Sequence, residues 1–151
     1  DKSRECVCAG YRVQQYRSRL SGPLLDRIDL RLDVERVPPR ARRERRRSDS
    51  SAVVRERVLR ARARQVERLA GTGVYANAHM SSRQLRRFCR LDRDAVDKLD
   101  RAYDRMRLSA RAADRIVKVA RTIADLEGAD VITAEHIGES LNYRDRRGER
   151  A

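Results

Sequence analysis

The sequence has 151 residues, of which 40% are apolar, so it can build one compact domain with additional segments. No apolar run approaches the roughly 20 residues that a membrane-spanning helix needs. The three cysteines are an odd number and follow no leader of the secretory type. We therefore expect a soluble, cytoplasmic protein with no membrane partner.

The charge is strongly positive and comes almost entirely from arginine. The formal net charge is +14, and Lys2, Lys98 and Lys118 are the only lysines among 37 basic residues. Arginine presents a planar set of donors to phosphate and carboxylate, which favours an anionic partner such as nucleotide, nucleic acid or an acidic protein surface. Arginine alternating with Asp and Glu along helices also forms solvated faces with intrahelical ion pairs. The charge alone leaves both interpretations open.

The first 36 residues differ in pattern from the rest. They contain a Cys-x-Cys string, a short basic segment at residues 11–20 and a Ser-Gly-Pro turn at residues 21–23. Leu30, Leu32 and Val34 then alternate with charged residues, and this period of two predicts a strand. A lone strand leaves its backbone groups unpaired, so this one requires a sheet that the sequence does not visibly supply.

Residues 37–50 are predicted to be a linker. Pro38 and Pro39 precede six arginines between residues 40 and 47, and no apolar side chain in that run is larger than Ala41. Such a composition cannot bury enough apolar surface to fold, so we expect a mobile, arginine-rich connection.

Beyond residue 50 the apolar residues recur with helical spacing, which predicts a bundle of about four or five helices over 51–143 and a polar tail at 144–151. The first helix carries its predicted apolar face on Val54, Val58, Leu59, Ala61 and Val66. The predicted helix starts are Ser50 or Ser51, Ser81, Asp92, Ser109 and Thr133. The fold class is therefore mainly α.

Several strings, in a fixed order, carry a resemblance. They are Cys6-Val7-Cys8, the run Tyr16-Arg17-Ser18-Arg19-Leu20-Ser21-Gly22-Pro23-Leu24-Leu25-Asp26-Arg27-Ile28-Asp29-Leu30, then Asn77-Ala78-His79-Met80, Leu108-Ser109-Ala110-Arg111 and Val119-Ala120-Arg121-Thr122-Ile123-Ala124-Asp125-Leu126. From about Cys6 to Tyr143 the chain closely resembles the C-terminal portion of magnesium-chelatase-like AAA+ ATPases of the ComM/YifB type.

The resemblance implies a helix-2-insert AAA+ module, related to magnesium-chelatase ATPase subunits and MCM helicases, which assembles as a homo-hexameric ring. Residues 1–36 would be the C-terminal remnant of an α/β ATPase core, with a leftover strand and turn, and residues 51–143 the helical lid. The sequence has no Gly-x-x-x-x-Gly-Lys-Ser/Thr loop and no apolar strand ending in paired carboxylates. We therefore expect no independent ATP hydrolysis, and ATP and Mg²⁺ as cofactors only within the ring.

Two arginines match functional positions of the family. Arg27 matches the arginine finger, which one subunit directs at the γ-phosphate held by the next subunit, and Arg111 matches the lid arginine called sensor 2. Without the family, Arg27 is explained by pairing with Asp26 or Asp29 at a charged turn. Arg111 follows a predicted cap at Ser109, where a helix N-terminus also attracts phosphate.

No metal site is predicted for this chain. Cys6 and Cys8 match the second half of a four-cysteine cluster in the family, and two thiolates cannot complete a tetrahedral zinc site. Cys89 lies at an apolar helical position and is predicted to be core. His79 and His136 have no neighbours at catalytic or ligand spacing.

Three functional readings follow. The first is a lid and arginine-finger fragment of a ring ATPase that works with an upstream core and neighbouring subunits, acting on DNA in branch migration or helicase-like steps of competence and recombination. The second is a stand-alone basic helical module that binds nucleic acid or a protein partner through residues 40–47 and other exposed arginines. The third is a truncated or split product without independent activity. No motif in the sequence indicates a porphyrin site. Insertion of a metal into a porphyrin is therefore a weaker hypothesis than ATP-driven action on DNA.

Overall fold

The structure is a computed structural model that describes residues 7–19, 24, 27–32, 34, 37 and 49–144. The chain divides into two compact units, Asp1–Arg47 and Ser48–Ala151. The described residues contain six α-helices and one short 3-10 turn, and none of these helices is long and apolar enough to cross a bilayer. The predicted mainly α fold is confirmed.

In the first unit, helix α1 spans Gly10–Ser18, where the sequence predicted only a basic segment. The predicted strand is not formed. Residues 28–32 and 34 carry neither helix nor ladder pairing, and Leu32 and Val34 are 71% and 91% exposed. A lone strand requires a sheet, and the described part of the chain contains no second strand with which this segment could pair.

The second unit contains five helices around a small core. They are α2 (Ser51–Arg68), α3 (Ser82–Phe88), α4 (Arg93–Met106), α5 (Ala110–Glu127) and α6 (Ala134–Asn142), with a 3-10 turn at Asn77–His79 between α2 and α3. Helix α5 is central, because it contacts α2, α3, α6 and the 3-10 turn. The predicted linker and tail boundaries remain predictions, since residues 38–48 and 145–151 lie outside the described part.

Side-chain caps fix where the helices begin. The hydroxyls of Ser50 and Ser109 and the carboxylate of Asp92 each accept a hydrogen bond from the backbone N–H three residues later. Ser81 and Gln84 form a reciprocal capping box at α3. These starts agree with the predicted ones because capping is a local property that a sequence reveals.

The core is made where α5 meets its neighbours. Ile116, Ala120 and Ala124 of α5 are almost fully buried, and so are Ile132, just before α6, and Ile137 within α6. A single parallel bridge joins Leu91 to Ile132, with the Ile132 N–H donating to the Arg90 carbonyl at 2.8 Å. This bridge ties the connection before α4 to the connection before α6.

The apolar face predicted for the first helix is mostly exposed. Of its five residues only Ala61 is buried, whereas Val54, Val58, Leu59 and Val66 are between 45% and 58% exposed. The residues of α2 that face the core are Ala61 and Gln65, followed by Leu69 at its C-cap. The prediction was wrong here because a polar residue, Gln65, holds a core position.

We expect Gly128→Ala to lower the free energy of unfolding by about 1–2 kcal/mol, because Gly128 ends α5 at φ 79°, where an L side chain is strained. An added Cβ would meet no atom within 4 Å, so the effect isolates backbone strain. Urea denaturation measures it, and Gly128→Asn, which tolerates this conformation better, should lose less. Equal stability of the alanine variant and wild type would contradict the assignment.

Candidate functional site

Arg111 lies in the first turn of α5, directly after the cap. Ser109 accepts the Ala112 N–H at 3.1 Å, and the Ser109 carbonyl accepts the Ala113 N–H at 3.0 Å, so the helix start is well defined. The Arg111 side chain is exposed. A helix N-terminus carries partial positive charge and unpaired N–H groups, and together with an exposed guanidinium it can attract an anion such as phosphate.

The neighbourhood of Arg111 is joined to α3. The carboxylate of Asp114, one turn after Arg111, accepts a hydrogen bond from the Ser82 hydroxyl at the start of α3. Arg115 and Lys118 continue along the same helix and are half-buried. Lys118 donates from Nζ to the Ala78 carbonyl at 3.0 Å, which ties α5 to the 3-10 turn.

A buried ionic network holds α5 in position. Asp125 is 2% exposed and pairs with Arg121 of its own helix at 3.1 Å and with Arg68 of α2. Arg121 is 1% exposed and donates to the backbone carbonyls of Ala129 and Asp130. Burial lowers the pKa of Arg121, and the Asp125 carboxylate opposes that shift.

The Asn77-Ala78-His79-Met80 string has a structural explanation. The Asn77 side chain donates to Asp125 at 2.8 Å and accepts from Arg68 at 3.0 Å, and its backbone N–H donates to Gln65 Oε1 at 3.2 Å. Met80 then enters the core at 1% exposed. Gln65 follows Ala61 at a spacing of four, which is a signal that could have placed it on the core face of α2, but no pattern in the sequence indicates Asn77 as its partner.

Arg27 belongs to the first unit, whereas the ionic network belongs to the second. It is exposed at a turn in which its N–H donates to the Leu24 carbonyl at 3.0 Å. Asp26, one of the two pairing partners considered for it, lies outside the described residues. Arg27 and Arg111 belong to different compact units, and their roles as finger and sensor 2 remain predictions.

One cysteine and one histidine are buried in the second unit. Cys89 is buried, Cys8 is exposed, and Cys6 lies outside the described residues. His136 is buried, with Nε2 2.9 Å from a Glu127 carboxylate oxygen and Nδ1 accepting the Thr133 N–H at 2.9 Å. Across the described ranges, no group of three or more His, Cys, Asp or Glu residues is arranged to hold a metal ion.

Comparison with known families identifies the class of protein. A family model described as "Magnesium chelatase, subunit ChlI C-terminal" matches residues 48–144, and one described as "Magnesium chelatase, subunit ChlI" matches residues 1–42. The first match covers well over half of the chain. The chain therefore belongs to the magnesium chelatase subunit ChlI C-terminal family.

Curated relatives narrow the resemblance. The chain is 44% identical over 134 residues to competence protein ComM of Haemophilus influenzae, a match covering 87% of this chain and 25% of that protein. It is 39% identical over 138 residues to protein YifB of Escherichia coli, covering 91% and 26%. Protein Rv2897c of Mycobacterium tuberculosis is 36% identical over 140 residues, covering 93% and 28%. The chain thus spans about a quarter of the length of these relatives and matches their C-terminal part.

We expect Asp125→Ala to destabilise the second unit by about 3–5 kcal/mol, because it leaves two guanidinium groups buried without their counter-ion. Asp130→Ala is the matched control. It also removes a carboxylate paired with an α2 arginine, Arg64, but the Asp130 side chain is 89% exposed, so the loss should stay below about 1 kcal/mol. Urea denaturation of both variants tests the difference, and equal losses would contradict the buried network.

We expect alkaline pH to weaken the fold through Cys89. Burial raises the pKa of the Cys89 thiol from 9.0 to about 11, and Arg121 partly opposes the shift. The unfolded thiol loses its proton near pH 9 while the folded thiol keeps it, so stability is complete below pH 9 and falls between pH 9 and 11. The difference between wild type and Cys89→Ala should change by roughly 2 kcal/mol across that window. Parallel unfolding curves for the two proteins would contradict it.

Proposed function

We propose that this chain supplies two arginines to ATP sites formed between the subunits of a ring ATPase. Arg27 acts as the arginine finger that reaches a neighbouring subunit's nucleotide, and Arg111 acts as the sensor 2 arginine of the lid. The ring is a homo-hexamer in which ATP and Mg²⁺ bind with the upstream core, and this chain alone does not hydrolyse ATP. The ring acts on DNA in branch migration or helicase-like translocation.

The observation that carries the proposal is the position of Arg111. Its guanidinium is exposed at the start of the most deeply packed helix of the unit, and the Ser109 cap defines that start. The buried Arg68–Asp125–Arg121 network fixes the other end of α5. A charge on a rigid element can be held in one position for transition-state stabilisation without reorganising at the moment of reaction.

Arg27 has the complementary property of accessibility. It is exposed at a turn within the Leu24-to-Leu30 string that resembles the finger segment of the family. The side chain of an arginine finger must project from the surface of its own subunit to reach the nucleotide of the next subunit. Exposure is therefore necessary for this role. An arginine finger is worth roughly 10³–10⁵ in turnover where it has been measured.

Family membership supports the assembly, and one relative's name supports the substrate. The relative at 44% identity is named as a competence protein, and this name supports the proposal that the ring acts on DNA. The net charge of +14 suits a polyanionic substrate. The whole-protein activity depends on regions outside this chain, which spans about a quarter of its relatives.

We expect Arg27→Ala to reduce ATP turnover at least roughly 10³-fold in a hybrid that joins the upstream part of the Haemophilus influenzae relative to this chain. Nucleotide binding should persist, because the finger acts on the transition state. Arg111→Ala should weaken nucleotide binding as well as turnover. Arg19→Ala and Arg93→Ala, also exposed arginines of the two units, are controls that should keep wild-type turnover.

A mixing experiment tests action between subunits. The Arg27→Ala hybrid and a hybrid lacking its phosphate-loop lysine should each be inactive, and mixing them should restore part of the turnover, because some interfaces then combine an intact finger with an intact loop. Wild-type turnover of the Arg27→Ala hybrid would refute the finger. Failure of mixing to restore activity would refute its action across the interface.

A second candidate is an ATP-independent module that binds nucleic acid. It is favoured by the exposed arginines that follow Ser82, in a stretch of sequence from Ser82 to Arg90 that contains no acidic residue. The dependence of binding on ATP and on salt concentration distinguishes the two functions. A phosphate-binding module should lose affinity steeply as salt rises and ignore ATP, whereas the lid fragment should act only when joined to its core.

A further inference from the structure

Four exposed arginines lie on and just after α3. We call Arg83, Arg86, Arg87 and Arg90 the arginine patch; all four are exposed, and no acidic residue lies between Ser82 and Arg90 in the sequence. The opposite side of α3 is anchored in the core by Leu85 and Cys89, which are 4% and 6% exposed. At 3.6 residues per turn the three helical arginines occupy about 100° of the helix circumference. The three helical arginines of the patch are therefore held on one solvent-facing side of α3.

The arginine patch differs from the arginines of α2. Five of the six arginines of α2 have a hydrogen-bond or ion-pair partner in the described chain: Arg57, Arg60, Arg62, Arg64 and Arg68. Within the same described part of the chain, no patch arginine has a carboxylate partner. Arg87 alone makes a specific contact, stacking 5.0 Å from the centre of the Phe88 ring. The positive charge of the patch is therefore not neutralised locally.

Helix stability does not explain the arginine patch. Arg86 and Arg87 lie in the last turn of α3, where positive charge interacts favourably with the helix dipole. Arg83, however, is the second residue of the helix, where positive charge is unfavourable, and Arg90 lies beyond the helix end at Phe88. Half of the patch thus has no role in capping or dipole compensation.

The surroundings of the patch favour nucleic acid over a protein partner. Protein interfaces need apolar side chains at their centre, whereas interfaces with nucleic acid are polar and strongly positive. No large apolar side chain between residues 76 and 95 is among the exposed ones of the described chain. Arg83 and Arg87 are about 6 Å apart along the axis of α3, a length in which one strand of a duplex presents about two phosphates, and Arg90 follows beyond the helix end.

We propose that the arginine patch binds the phosphate backbone of DNA, independent of base sequence. This rests on the proposed action on DNA and names the surface of the second unit that contacts it. Arginine forks suit phosphate oxygens, and the anchored α3 holds them at fixed spacing. The patch contains neither Arg27 nor Arg111, so backbone binding and nucleotide handling are separate properties of the chain.

The test measures binding of the full chain to a fluorescently labelled 30-base-pair duplex by anisotropy, over a series of salt concentrations. The patch variant carries Arg83→Gln, Arg86→Gln, Arg87→Gln and Arg90→Gln. The control variant removes the same charge with Arg55→Gln, Arg57→Gln, Arg60→Gln and Arg101→Gln, which are also exposed. Circular dichroism and thermal unfolding establish that each variant is folded.

We expect the patch variant to bind at least tenfold more weakly at low salt, with the slope of log affinity against log salt shallower by about 2–4, or 0.9 per lost phosphate contact. The control variant should keep most of the wild-type affinity and most of the wild-type salt slope. Equal losses in the two variants would overturn the proposal, because the attraction would then follow net charge alone. Unchanged binding of the patch variant would also overturn it and leave action on DNA standing.

Two further measurements separate the alternatives. The same comparison in a chain whose six arginines between residues 40 and 47 are glutamine should retain the difference between patch variant and control. Loss of the difference there would assign DNA binding to that segment and overturn the proposal. Poly-glutamate at equal charge concentration should compete weakly with DNA, and equal competition would overturn the assignment to phosphate. If wild type binds no DNA, this proposal fails, while the ATPase hybrid still tests the two catalytic arginines.

Discussion

The second unit depends on one buried carboxylate. Asp125 is nearly inaccessible to solvent and receives Arg68 from α2, Arg121 from its own helix and Asn77 from the 3-10 turn. Three separate segments therefore meet at one charge, which fixes α2 and the turn against α5. A buried ion pair gains little over an apolar contact of equal volume, but it penalises misalignment heavily, because any displaced partner is left charged and unsolvated. Specificity of arrangement is what this network contributes.

The sequence predicted the helices well because their signals are local. Caps at Ser81, Asp92 and Ser109 and the apolar stripe of α5 determine their own segments without reference to the rest of the chain. Helix α1 was not predicted because its apolar residues do not recur with a helical period. The role of Asn77 escaped for a different reason: its partners come from residues 65, 68, 122 and 125, and no pattern in a single sequence identifies contacts at that separation.

The residues of the candidate site were also only partly predictable from the sequence. Arg27 and Arg111 were predicted from strings that resemble a family; both are exposed, and their roles remain predictions. No physical rule applied to the sequence would have chosen them from 34 arginines, since composition treats every arginine alike. The distinction between the paired arginines of α2 and the unpaired arginine patch needed coordinates. It depends on which carboxylates folding brings near each guanidinium.

The first ten residues of α2 form a helical end of the second unit that does not reach the core. Every residue from 51 to 60 is exposed, and the helix first reaches the core at Ala61. These turns rest on their own hydrogen bonds and on the Ser50 cap, and short helical stretches without tertiary packing are marginal in water. Unwinding ten residues converts about 15 Å of helix into up to about 33 Å of extended chain. A segment that lengthens by about 18 Å while the core around α5 stays folded gives the second unit an end that can unfold locally.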